Sequence, residues 1–141
     1  MGVLSKATTE DLDTHFSKLD ALPDYSPLRE PETGLVMVRG RTGGVGNRFN
    51  LGEMTVTRAA IRLESGETGV SYVAGRDKRH AEIAAVVDAL MQSDAHRGRV
   101  AETVIEPLSE IAAQKKTQTL RQRAATRVDF FTMTRTREDK K

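Results

Sequence analysis

The chain has 141 residues and a net formal charge of +2, a length that fits one domain with one modest core. It has no cysteine, no tryptophan and only four Phe and two Tyr. This excludes disulfide scaffolds, cysteine-ligated metal sites and thiol catalysis, leaves the core to Val, Ile, Leu, Met and Ala, and, with no apolar run near the roughly 20 residues of a membrane span and no signal-peptide core, predicts a soluble cytoplasmic protein.

Leu12, Phe16, Leu19 and Leu22 fall at helical spacing, so a helix is expected over residues 8–22. Pro23, Pro27 and Pro31 forbid its extension and predict an extended connector. Leu35 to Val38 is a short apolar run behind Gly34 and reads as a strand. Gly40, Gly43, Gly44 and Gly46 then crowd into seven residues, which predicts a loop of unusual backbone freedom.

From Glu53 to Leu63 the sequence turns β again, Ser65-Gly66 with Gly69 marks a hairpin turn, and residues 70–73 return antiparallel. Asp77 reads as the N-cap of a helix rich in alanine (Ala81, Ala84, Ala85, Ala89). That helix is apolar over more than half its circumference, so burial on more than one side is expected. Gly98 and Pro107 punctuate the stretch after it, with Pro107 suited to the first turn of a last helix running to about Arg127. Between Gln114 and Arg123 only Leu120 is strongly apolar, so this long basic helix should pack weakly. The expected fold is α+β: a small antiparallel sheet flanked by helices, one domain over residues 1–141 with a long C-terminal helix and a flexible basic tail at 135–141.

Charge is balanced overall and uneven along the chain. Residues 112–141 hold nine Lys and Arg against three Asp and Glu, net +6, which leaves residues 1–111 at −4. Such asymmetry points to an acidic partner: a nucleic acid, a phosphorylated ligand or another protein. A solvated helix face with a frayed tail accounts for it equally well.

Several constellations invite chemistry, each beside a plainer reading. Arg41, Gly43, Gly44 and Gly46 could form a backbone nest for an anion. No Gly-Lys-Ser/Thr comes after them, and Phe49 stands where a dinucleotide fingerprint needs its third glycine, so a structural or partner-ordered loop is the stronger reading. Arg76, Asp77 and His80 cluster at a helix start, where an anion or an acid–base histidine would fit. A simple Asp77 cap with a packed His80 is the alternative. Arg58 and Arg62 share a strand face with Met54, Val56 and Ala60, and either line a cleft, meet acids of another chain, or reach solvent. Arg127, Asp129, Phe130 and Phe131 put adjacent aromatics near the terminus, which should pack into the fold or a partner. His15, His80 and His96 are scattered, and no metal site is expected.

These strings carry a resemblance. Residues 32–36, 41–46, 52–60, 75–82, 88–91 and 127–133, in that order, resemble the PhnG family, a subunit of the bacterial carbon–phosphorus lyase core complex. The resemblance implies a hetero-oligomer with the subunits called H, I and J, an associated ATP-binding-cassette subunit L, and a possible self-dimer inside the complex. It implies support for attack of an alkylphosphonate on the ribose C1′ of MgATP, with release of adenine and formation of ribose 1-alkylphosphonate 5-triphosphate. Subunit I is implied to hold the nucleosidase chemistry, and subunit J, an iron–sulfur radical enzyme, the later bond cleavage. No residue of this chain inherits a catalytic role, and this subunit is implied to hold no cofactor, MgATP being a substrate of the complex. Two alternatives come from other classes. One is a stand-alone enzyme using His80 and Asp77. The other is a phosphate- or nucleic-acid-binding protein using the basic C-terminal helix, against which the lack of aromatic–basic interleaving argues.

Overall fold

Helix α2 (Lys78–Leu90) is the centre of the molecule, and nine of its thirteen residues are buried. The computed structural model describes residues 1–125. One side of α2 lies on a three-stranded antiparallel sheet of order β1-β2-β3, with β1 at Tyr25–Arg41, β2 at Arg48–Leu63 and β3 at Thr68–Ala74. Ala59, Ile61, Leu63 and Val73 supply the sheet's side of the core. On the other side of α2 the surrounding helices bring Leu4, Leu12, Val100, Val104 and Leu108 into the same core. The two-sided burial expected from the breadth of its apolar face is therefore present.

Small residues allow this sandwich. At Gly69 the β3 backbone runs so near α2 that an added Cβ would lie 1.9 Å from the Ala85 carbonyl oxygen. Two buried hydroxyls find partners. Thr57 donates to the Gly75 carbonyl at 2.8 Å, and Ser71 to the Ala81 carbonyl at 2.6 Å.

The connector expected at Pro23–Pro31 is a correction: β1 begins at Tyr25 and carries Pro27 and Pro31 within it. β1 is an edge strand, so a residue without an N–H can sit there. The pairing with β2 shifts register between Pro27 and Arg29 and again between Arg29 and Glu32. The strands expected at 35–38 and from Glu53 are likewise longer, forming one extended hairpin closed at Arg41 opposite Arg48.

Helix α1 spans Thr9–Phe16 and stops short of the expected residue 22. Ser17 closes it, Leu19 turns back into the core, and Ala21 adopts a left-handed φ of 53° that no helix continues through.

The stretch before the last helix also differs from the expectation, whereas Pro107 does fall in that helix's first turn. Gly98 lies inside α3 (Asp94–Val100) rather than between elements. A π-helical turn at Ala101–Ile105 joins α3 directly to α4 (Glu106–Ala125). Pro107 cannot donate to the preceding turn, and a widened turn just before it accommodates the missing bond. Residues 113–124 of α4 are exposed throughout, as the thin apolar stripe predicts.

Candidate functional site

The Asp77–His80 cluster ties three segments together. Asp77 caps α2: its Oδ1 accepts from the His80 backbone N–H at 2.9 Å, and its Oδ2 accepts from the Thr9 hydroxyl at 2.7 Å. These bonds, the backbone one foremost, hold its carboxyl below the ordinary value of 3.8. His80 is 4% exposed, with Nε2 2.8 Å from the Leu4 carbonyl oxygen and Nδ1 3.4 Å from Thr9 Oγ1. A carbonyl only accepts, so Nε2 carries a hydrogen. The ring fastens the N-terminal turn (Leu4–Lys6) and α1 to α2, and neither nitrogen faces solvent. Arg76 precedes this cap and is exposed.

A second cluster lies on the sheet face turned away from α2. Glu32, Arg58 and Tyr72 sit side by side on β1, β2 and β3. Arg58 Nε donates to Glu32 Oε1 at 2.7 Å, and Arg29 donates to the same oxygen. The two guanidiniums, Arg29 first, pull the Glu32 carboxyl below its usual range, while the Tyr72 hydroxyl and then Glu32 push the Arg58 value up. All of these side chains are substantially exposed, so the pairs are screened and orient the face more than they stabilise it. Arg62, next on the same face, lines a separate hollow of about 230 Å³ with Asp24, Tyr25, Ser26 and Glu64.

Arg41, Gly43, Gly44 and Gly46 form the tip of the β1–β2 hairpin. Gly43 and Gly44 take φ values of +60° and +80°, conformations that favour glycine. The Gly46 N–H donates to the Thr42 carbonyl at 3.1 Å, and a Cβ on Gly46 would meet that same oxygen at 2.9 Å. The glycines thus have a turn-forming role. Arg127, Asp129, Phe130, Phe131 and the tail at 135–141 lie outside the described residues.

The structure therefore joins Asp77 to His80 and Arg58 to Glu32, and sets Arg41, Arg62 and Arg76 in separate places. Among the described residues, no group of three His, Asp or Glu is arranged to hold a metal ion. Also among them, no helix is long and apolar enough to cross a membrane. Sequence reasoning missed Thr9, Glu32 and Tyr72, whose roles depend on cross-strand register and on contacts between distant segments. It also missed the exposed apolar side chains of the hairpin, Leu35, Met37, Phe49, Leu51 and Met54. An alternating-face reading carried beyond the last partner of β3 would have found them.

Comparison with known proteins gives two findings. The family model described as "Phosphonate metabolism protein PhnG" matches residues 1–136. A relative from Rhizobium meliloti (strain 1021), named alpha-D-ribose 1-methylphosphonate 5-triphosphate synthase subunit PhnG, is 47% identical over 135 residues, covering 96% of this chain and 86% of the relative. With the match spanning nearly every residue, this chain belongs to the PhnG family of phosphonate metabolism proteins.

Proposed function

We propose that this chain is a subunit of a ribose 1-alkylphosphonate 5-triphosphate synthase and serves it by assembly rather than by catalysis. The observation that carries the reading is the 47% identity to a relative named as a subunit of such a synthase, along 96% of the chain. The reaction joins an alkylphosphonate to the ribose of MgATP and releases adenine. The partners are the core subunits H, I and J and the ATP-binding-cassette subunit L, and the location is the cytoplasm. The chain carries no cofactor of its own, and MgATP enters as substrate of the assembly.

The geometry supports a non-catalytic role. His80, placed beside Asp77 at the start of α2, is sealed in packing and cannot exchange a proton with a bound substrate. The arginines that could gather phosphates are dispersed over a hairpin tip, a sheet face and a loop. The test is adenine release from ATP and methylphosphonate by subunits H, I and L with and without this chain. Release that needs this chain, and that survives His80→Ala in assemblies that still form, supports the proposal. Release by this chain alone contradicts it.

A second reading, binding of nucleic acid by α4, is favoured by the exposure of Lys116 and Arg121 on a helix whose residues 113–124 face solvent. It predicts binding that weakens steeply with salt.

A further inference from the structure

β3 and α2 support only the base of the β1–β2 hairpin. The last β2 residue paired with β3 is Val56, opposite Ala74. Beyond the Gly34–Val56 pair, residues 35–41 and 48–55 continue as a two-stranded arm. A lone two-stranded hairpin is marginal in water, and an arm of this length needs another surface to hold it.

The arm is apolar on both faces. Leu35, 63% exposed, and Met37 continue the face that α2 covers further down. Val36 and Met54 lie opposite each other on the other face. At the register shift after Val38, Leu51 falls between paired residues and is 66% exposed. An arm resting on a flat surface needs one apolar face; two faces call for two walls.

The tip is cationic. Arg41 directly faces Arg48, with Arg39 close by, and none of the three has an ion-pair partner among the described residues. Like charges directly opposite destabilise a strand pair unless an anion compensates them. Glu53, opposite Met37, is the one acid on the arm.

We propose that this arm inserts into a cleft of a different protein chain of the assembly, one with two apolar walls and carboxylates at its inner end. This rests on the reading of the chain as an assembly subunit. Shape decides against a second copy as host. On its outer sheet face the exposed Val70 and Tyr72 lie on one open surface, opposite Ala60 and the Glu32-paired Arg58, and Leu120 lies on α4, whose residues 113–124 face solvent. Each is a single surface and supplies one wall where the arm needs two.

The test uses the full chain co-expressed with subunits H, I and J. One variant carries Leu35→Ser with Met37→Ser, the other Arg41→Glu with Arg48→Glu. Both change exposed positions outside the core, so their circular dichroism melts should match the wild type. Each should weaken assembly by roughly tenfold or more. Independently, amide hydrogen exchange in residues 35–41 and 48–55 of the wild type should slow on assembly. A wild type that assembles while both variants bind as tightly, with no protection of the arm, overturns this proposal and leaves the subunit reading intact. A wild type that joins none of the three overturns both. A lone chain that dimerises, and loses the dimer in both variants, overturns the choice of a different chain as host.

Discussion

Gly69 on β3 and Ala85 on α2 are in backbone contact: a single methyl added at Gly69 would fall 1.9 Å from the Ala85 carbonyl oxygen and 2.6 Å from the Ala89 nitrogen. Neither atom is the far end of a movable side chain. The contact sets the distance between the sheet and the central helix, and the alanines of α2 make that distance possible.

Gly69→Ala should therefore force β3 and α2 apart. The expected loss is about 3 kcal/mol, at the upper end for overpacking. In a chain of this length that corresponds to a melting temperature lower by roughly 6–12 °C. Urea unfolding with the same slope and a lower midpoint checks it. An unchanged midpoint would mean that the sheet and helix can separate freely.

His80→Ala removes the partner of the Leu4 carbonyl and frees the N-terminal turn from α2. The cost should be about 2–3 kcal/mol, from an unpaired buried carbonyl and a cavity. Adenine release per assembled complex should stay at the wild-type rate. Loss of release with full stability and full assembly would instead give His80 a chemical role.

Asp77 sets part of the acid limb of stability. Its folded carboxyl lies below 3.8, held there first by the His80 N–H and then by the Thr9 hydroxyl. Ionised Asp77 thus contributes stability that is present above about pH 4 and is lost as pH falls through the lower folded value. Asp77→Asn keeps a competent cap and removes the titration. Its unfolding free energy should fall less steeply than the wild type's below about pH 4. Parallel curves for the two proteins would contradict the assignment.

The outline of the fold was legible because its signals are local. Asp77 before an alanine-rich apolar stretch gave both the cap and the two-sided burial of α2, and Ser65-Gly66 gave the β2–β3 turn. The errors fell where tertiary context overrode local chemistry. Pro27 and Pro31 argue against a strand until β1 is known to be an edge, and Gly98 argues for a break until α3 is seen to run through it into a π-helical turn.

The clusters were only half legible for the same reason. Arg58 was visible in the alternation of β2, but its partners Glu32 and Tyr72 come from register with two other strands. His80 stood out as a candidate from its charged neighbours, whereas its ties to Thr9 and Leu4 span about seventy residues of chain. The turn role of Gly43 and Gly44 followed from their type alone.

The most direct test of the central claim is the native mass of this chain, measured alone and after co-expression with subunits H, I and J. The account predicts a stable complex with those subunits and a lone chain that is less soluble than the complex because its arm is exposed. A well-behaved monomer that remains monomeric in their presence would contradict it.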